Sequence, residues 1–137
     1  KNNWYIDMIS RMNPEEVLPG VRDFLAETKA SGIKIALVSS SRNARVVLRS
    51  VELEHFFDAV IDGTTTKKSK PAPDCFLLAA EALRLAPKVC MVFEDAPVGI
   101  QAAKTGGFAS VAVGDHRMIC NSDYQLESFE KLPALYY

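Results

Sequence analysis

Short apolar runs alternate with helical patterns along most of this sequence, and that alternation limits its fold more than any other feature. Four runs have the length of strands: residues 33–38, 57–63, 89–93 and 109–115. Their apolar residues are consecutive rather than every second residue, which is typical of strands covered on both faces. Strands joined through helices pair in parallel. The sequence therefore predicts an α/β fold in which helices cover both faces of a parallel sheet.

Helical spacing of apolar residues predicts helices between these strands and at both ends of the chain. The predicted helices are residues 1–12, 21–31, 42–51, 74–83, 98–104 and a short one at 126–132. We expect Asp74 to cap the fourth helix, and Asp95, two residues before Pro97, could cap the fifth. Gly106 and Gly107 should end the fifth helix, because glycine is common just past a helix end.

Composition and charge exclude several classes of partner. The 16 Lys and Arg nearly balance the 17 Asp and Glu, so no basic patch stands out and we expect no nucleic-acid partner. No apolar run approaches the ~18 residues of a membrane span, so we expect no membrane partner. Cys75 and Cys90 lie in apolar segments and outside any Cys-x-x-Cys pair, which favours small buried thiols. We therefore expect a reduced, cytoplasmic protein.

Polar residues suited to phosphate chemistry follow three of the predicted strands. Because ligands of an open parallel sheet bind beyond the carboxyl ends of its strands, these residues should meet at one edge. The first strand is followed by Ser39, Ser41, Arg42 and Asn43, the second by Lys70, and the third by Glu94 and Asp95. Hydroxyls and amides bind phosphate, lysine neutralises it, and paired carboxylates hold a hard cation such as Mg²⁺. The combination predicts a phosphoryl-transfer site.

Each of these groups also has a purely structural interpretation. The serines could cap the next helix, and Lys70 could be an exposed turn residue. Asp95 could be an N-cap, with Glu94 beside it on the rim. Three unrelated caps, however, would not need a lysine and two adjacent acids at the same edge. Adjacent carboxylates repel each other unless a metal ion, a lysine or water lies between them, so the combination favours a site.

Three segments resemble motifs of one enzyme superfamily. The stretches "IALVSSSRN", "SKPAPD" and "EDAPVGIQAAK" are similar to the second, third and fourth motifs of the haloacid dehalogenase superfamily, in its β-phosphoglucomutase-like branch. The resemblance covers residues 1–115. It implies a Rossmann-like α/β core with helices on both faces over residues 18–137. It also implies that residues 1–17 are the end of a helical cap domain.

The resemblance implies a role for four of the polar residues. Ser39 would hydrogen-bond the phosphoryl group in transfer, and Lys70 would offset charge on the nucleophile and the phosphoryl oxygens. Glu94 and Asp95 would hold Mg²⁺, the implied cofactor, directly or through water. All four stand at positions that match the motifs of the superfamily.

The same resemblance implies a second phosphate site. Ser41, Arg42 and Asn43 match the mutase stretch that holds the non-transferring phosphate, although the family commonly has lysine at the position of Arg42. The implied partner is a small-molecule sugar phosphate, and the implied reaction moves phosphate between the C1 and C6 oxygens of a hexose. A phosphatase of the same branch that hydrolyses a small phosphomonoester is one alternative. A non-catalytic α/β fragment is another.

The first motif of the superfamily is absent. No Asp-x-Asp occurs in the 137 residues. In the family, the first aspartate of that motif is the nucleophile that forms an aspartyl-phosphate, and the second is the general acid/base. The motif lies on the central strand, between the strands that lead to Ser39 and to Glu94. We therefore expect this chain to be the carboxyl-terminal part of a longer enzyme and to be inactive alone. The missing amino-terminal part of the same protein would be its partner in another chain, or would have been cut away.

Overall fold

Helices and strands alternate in the predicted order as far as residue 115. The computed structural model describes residues 3–115 and 121–131. Its strands are β1 (Ala36–Val38), β2 (Ala59–Ile61), β3 (Met91–Glu94), β4 (Ala109–Val113) and β5 (Tyr124–Leu126). Its helices are α1 (Asn3–Ser10), α2 (Val21–Ala30), α3 (Ala44–Ser50), α4 (Asp74–Leu83) and α5 (Pro97–Thr105). The four predicted strands are all present, each limited to the residues that have a hydrogen-bonded neighbour.

All strand pairs are parallel, as predicted, but the strands form two sheets instead of one. β1 pairs with β2, so that Ala36 lies opposite Ala59. β3, β4 and β5 form the second sheet in that order, with Met91 opposite Ala109. Within the described residues, no strand lies hydrogen-bonded between β1 and β3. The break falls where the resemblance places the absent first-motif strand.

Helices cover both faces of this layer. On one face, Ala36 and Val38 of β1 and Val92 of β3 pack against the same cluster of α4 and α5 residues, which includes Phe76 and Ala103. On the opposite face, the alternate residues of the first strand pack against α2 and α3, through Leu25 and Leu48. The prediction of a parallel layer with helices on both faces is therefore confirmed.

Phe24 of α2 joins the two sheets on the second face. It packs in the cluster of the first sheet, and its ring centroid also lies 5.2 Å from those of Phe93 and Phe129. Since β1 and β3 share no ladder, side chains such as Phe24 connect the halves in place of backbone hydrogen bonds.

Two predicted helix caps are wrong. Pro73 is the N-cap of α4 and Asp74 is already its first helical residue, without a side-chain cap hydrogen bond. The N-cap of α5 is Ala96, with Pro97 at the first position, so Asp95 does not cap the helix. In both cases proline near the helix start supplies the required backbone angle without a side-chain acceptor. The predicted end of α5 is confirmed, because Gly106 is its C-cap.

The predicted helix over residues 126–132 is also wrong. Leu126 is the last residue of β5, and residues 129–131 form only a 3₁₀ turn. The strand forms because Gly114 N–H donates to the Leu126 carbonyl, and Asp123 accepts from the Ser110 backbone N–H at 2.8 Å. These are contacts between distant residues, which local spacing does not reveal. Leu132 lies outside the described residues.

Cys75 and Cys90 are free thiols. Cys75 is buried and Cys90 half-buried. Burial raises the pKa of both thiols, while nearby Lys70 partly opposes the shift at Cys75. Both therefore stay protonated at neutral pH and act as small apolar residues. Cys120 lies outside the described residues. None of the helices in the described ranges has the length and apolar character that a membrane crossing needs.

Phe24→Ala should lower the free energy of unfolding of the full-length protein by about 2–4 kcal/mol, because it removes ring contacts to both halves of the layer. Urea unfolding would measure the change. Glu27→Ala is the matched control, since Glu27 is an exposed residue of the same helix. Equal stability of the two variants would show that Phe24 does not join the halves.

Candidate active site

Lys70 and Glu94 form an ion pair at the carboxyl edge of the strands. Lys70 lies in the segment after β2, and Glu94 is the last residue of β3. The Lys70 Nζ lies 3.2 Å from Glu94 Oε2, and the two side chains are only 21% and 11% exposed. The ammonium also lies 4.9 Å from the ring centroid of Phe76. Little water reaches these charges, so each of them needs the other.

The adjacent acids lie in different surroundings. Glu94 is largely buried beside Lys70, whereas Asp95 is exposed. Among the described residues, no hydrogen-bond or ion-pair partner holds the Asp95 carboxylate. The repulsion expected between the two acids is thus relieved by a lysine on one side and by solvent on the other.

The two carboxylates suit a hard cation but form only part of a metal site. Carboxylate oxygens are the ligands that Mg²⁺ prefers, and an octahedral ion needs six. In the part of the chain that the structure describes, no group of three or more His, Cys, Asp or Glu could hold a metal. Glu94 and Asp95 therefore fit Mg²⁺ as two donors among ligands that water, substrate or another segment must complete.

The serines after β1 build a tight turn through their own side chains. Ser39 N–H donates to the Ile61 carbonyl at 2.8 Å, which fixes the loop to β2. The Ser39 hydroxyl accepts from Ser41 N–H, and the Ser41 hydroxyl accepts from Asn43 N–H, both at 3.1 Å. Neither hydroxyl donates to another described residue, so each can still donate to an acceptor such as a phosphoryl oxygen.

The serines do not cap α3. Its N-cap is Asn43, without a side-chain cap hydrogen bond. Arg42, just before it, is exposed, and its guanidinium makes no hydrogen bond or ion pair within residues 3–115 and 121–131. This arrangement leaves a free cation beside two hydroxyls.

Gly63, which the sequence marked only as a strand end, supports the serine loop. Its N–H donates to the Ser41 carbonyl at 3.0 Å. A Cβ at this position would overlap the carbonyl oxygen of Ser40. Backbone that approaches backbone this closely tolerates only glycine. The one available signal was a glycine directly after a strand pattern.

Asp62 organises the start of the segment that leads to Lys70, and it too went unnoticed in the sequence. Its Oδ1 accepts from Thr64 N–H at 2.9 Å and from the hydroxyls of Thr64 and Thr65 at 2.5 and 3.2 Å. The Thr64 hydroxyl, and then the Thr64 N–H, lower the pKa of Asp62, and the hydroxyl of Thr65 adds to this lowering. Burial opposes the shift without reversing it.

The structure therefore brings some of the predicted residues together and leaves others apart. Lys70 and Glu94 are in direct contact, and Asp95 follows in the chain. Residues 39–43, all within the described part, make no hydrogen bond or ion pair with these three. The serine loop follows β1 and the two acids follow β3, at the same edge but on opposite sides of the break, and Lys70 reaches Glu94 from the first sheet.

Known proteins are similar to this chain in sequence and in fold. A family model described as haloacid dehalogenase-like hydrolase matches residues 5–107. The chain is 43% identical over 123 residues to a β-phosphoglucomutase of Bacillus subtilis. This alignment covers 90% of this chain and 54% of that protein. It is 47% identical over 75 residues to the fructose-1-phosphate phosphatase YqaB of Escherichia coli, covering 55% of this chain and 40% of that one.

The fold is similar to that of a β-phosphoglucomutase from Clostridium difficile. The TM-score is 0.93 at 33% sequence identity, and the superposition covers 98% of this chain and 60% of that one. The chain spans about half the length of the curated relatives it matches.

Asp62→Ala should lower the free energy of unfolding at neutral pH by about 1–2 kcal/mol, because three donors lose their acceptor. The pKa of Asp62 is lower in the folded protein, so its contribution is complete above the pKa of an unfolded aspartate and is lost as pH falls through the folded value. The gap between wild type and variant in urea unfolding should therefore shrink below about pH 4. Asp62→Asn, which keeps an acceptor oxygen, is the control. A gap that stays constant into the acid range would contradict the role of the ionised carboxylate.

Proposed function

Because the chain belongs to the haloacid dehalogenase-like hydrolase family, as its three motifs predicted, we propose that it is the carboxyl-terminal part of a phosphoryl-transfer enzyme. The proposed reaction is Mg²⁺-dependent transfer on a sugar phosphate, of the β-phosphoglucomutase type. The observation that carries this proposal is the largely buried pair of Lys70 and Glu94 at the sheet edge where the Ser39 and Ser41 hydroxyls, whose protons are unused, also lie.

The charged and hydroxyl groups can share the work on the phosphoryl group in transfer. The Ser39 hydroxyl would donate to one phosphoryl oxygen, because its own oxygen already accepts a backbone N–H and its proton is free. The Lys70 ammonium would offset the negative charge of the reacting oxygens, and its contact with Glu94 holds it in place for this. Such preorganised donors favour the transition state, since they need not reorient during the reaction.

A second phosphate would bind at the start of α3. Arg42 offers a free guanidinium, which pairs with phosphate through two parallel hydrogen bonds. The Ser41 hydroxyl and the side chain of Asn43 lie beside it in the same turn. A site for a non-transferring phosphate favours a mutase, because a mutase must hold one phosphate while it moves the other.

Glu94 and Asp95 would be the residues of this chain that hold Mg²⁺. The ion, when bound, would neutralise charge on the phosphoryl oxygens and help to orient them. Asp95 is exposed and unpaired within the described residues, so its carboxylate is ready to bind a cation. Glu94 would be the second carboxylate of this chain to hold the ion, with Lys70 beside it.

The break between β1 and β3 is the proposed place of the missing nucleophile. The Ile35 carbonyl accepts from Asp58 N–H, and Ser39 N–H donates to the Ile61 carbonyl. Residues two apart in a strand direct their backbone groups to the same neighbour, so residues 36 and 38 face away from β2. A parallel strand carrying Asp-x-Asp would pair with them and would place its aspartates between the serine loop and Glu94, where the first could form the aspartyl-phosphate.

The proposed domain division follows from the same family. Residues 1–17 would be the end of a helical cap domain, and residues 18–137 the core. On α1, Trp4 and Met8 are 68% and 51% exposed. The remainder of a helical cap would cover this surface, because large apolar side chains exposed side by side usually mark a contact with another part of a protein.

Hydrogen exchange of the full-length protein tests the inserted strand. The amides of Ala36 and Val38 should exchange slowly, because a neighbouring strand would accept their hydrogen bonds. Ser39 is the internal reference, since its amide already donates to Ile61. Fast exchange at Ala36 and Val38 beside a protected Ser39 would show that no strand fills the break.

A phosphatase is the second candidate function. The likeness to a fructose-1-phosphate phosphatase favours it, at an identity similar to that shared with the mutase. The same Ser39, Lys70 and carboxylates would serve both enzymes, because the difference lies in whether water or a second sugar oxygen accepts the phosphoryl group.

Product analysis separates the two functions. The purified full-length protein, given β-glucose 1-phosphate, Mg²⁺ and a trace of the bisphosphate, should form glucose 6-phosphate if it is the proposed mutase. Free phosphate alone would identify a phosphatase, and no turnover of either kind would contradict both proposals.

Asp95→Asn should lower kcat by about 100-fold or more while the thermal midpoint stays near wild type, because Asp95 is exposed. Full activity in that variant would remove the proposed metal role.

A further inference from the structure

The Glu94 side chain occupies a notch in α5 that exists only because residue 99 is glycine. Gly99 is a buried residue in the first turn of the helix. A Cβ built on its backbone would overlap the Cγ, the Cδ and the Oε2 of Glu94. The overlap extends from Cγ to Oε2, so turning the carboxylate about its last torsion would not relieve it. Glu94 would have to adopt another rotamer.

Glycine is otherwise a poor choice at this position. It is among the least favourable residues inside a helix, and the neighbouring buried positions of α5 hold Ile100, Ala102 and Ala103. Gly99 lies in ordinary helical backbone without a positive φ, so backbone geometry does not demand glycine there. The contact with Glu94 is the feature that explains it.

The notch closes one side of the Glu94 carboxylate, and Lys70 closes another. The two contacts hold the carboxylate 3.2 Å from the Lys70 ammonium and leave the side chain 11% exposed. We propose that Gly99 is a positioning residue that sets the rotamer of Glu94 and thereby the strength of cation binding at the sheet edge. The second half of this inference rests on the metal role proposed above, whereas the first half does not.

Gly99→Ala in the full-length protein is the direct test. Titration with MgCl₂ in a calorimeter should show affinity weakened by about 10- to 100-fold, as for loss of a group that orients a metal ligand. Gln101→Ala is the matched control, because Gln101 is an exposed residue of the same helix and the substitution also favours helix. Wild-type Mg²⁺ affinity in both variants would overturn the effect on cation binding.

Thermal unfolding without Mg²⁺ tests the positioning itself. Gly99→Ala should lower the midpoint in wild type, because the displaced Glu94 leaves Lys70. In the Glu94→Ala background the same change should raise the midpoint, because the overlap is gone and only the gain in helix propensity remains. Equal shifts in both backgrounds would overturn the inference. If Gly99→Ala fails to fold, folding of the double variant supports the inference and failure of both contradicts it.

The two proposals fail in different ways. If Glu94→Ala keeps wild-type Mg²⁺ affinity, the metal role of Glu94 is wrong, while the opposite midpoint shifts would still establish Gly99 as the residue that positions it. If Glu94→Ala weakens Mg²⁺ binding but Gly99→Ala does not, the metal role stands and the positioning role of Gly99 in cation binding is wrong.

Discussion

The ion pair between Lys70 and Glu94 connects the two sheets at the edge where the proposed chemistry takes place. Lys70 follows β2 in the first sheet and Glu94 ends β3 in the second, so the pair spans the break between them. Its low exposure means that salt and water screen the attraction weakly. Removing either partner would leave a buried charge unpaired, which is far more costly than losing a surface pair. The pair therefore links the two sheets at the edge where the serine loop also lies.

Close approach is the second condition for the site, and two glycines supply it. Gly63 lets the end of β2 meet the serine loop at Ser40, and Gly99 lets Glu94 lie against α5. Neither glycine has a chemical group that could act on phosphate. Each instead permits a chemically active neighbour to take one position, which a methyl group would block. Polar residues provide the candidate chemistry, and glycines, which have no Cβ, allow those residues to take the positions that the site needs.

Much of the fold could be predicted because helices and buried strands have distinct local patterns. The order of elements up to β4, the parallel pairing and the family were all correct, and so was the Gly106 cap. The wrong predictions concern Asp74, Asp95 and the last helix. Asp74 and Asp95 have side chains that can cap a helix, but Pro73 is the N-cap of α4, and α5 begins at Pro97 after the N-cap Ala96. Residues 124–126 instead form a strand, β5, because they pair with β4, a contact that local spacing cannot indicate.

The sequence by itself determined which groups stand at the ends of the strands, because element type and residue type are local properties. It therefore predicted that hydroxyls, a lysine and two acids reach one edge of a parallel sheet. Only the tertiary structure decided that Lys70 pairs with Glu94 rather than remaining exposed, and that Asp95 faces solvent. It also decided that Gly99 receives the Glu94 side chain. These contacts join residues that are distant in the chain or on different elements, and they form only when the elements pack.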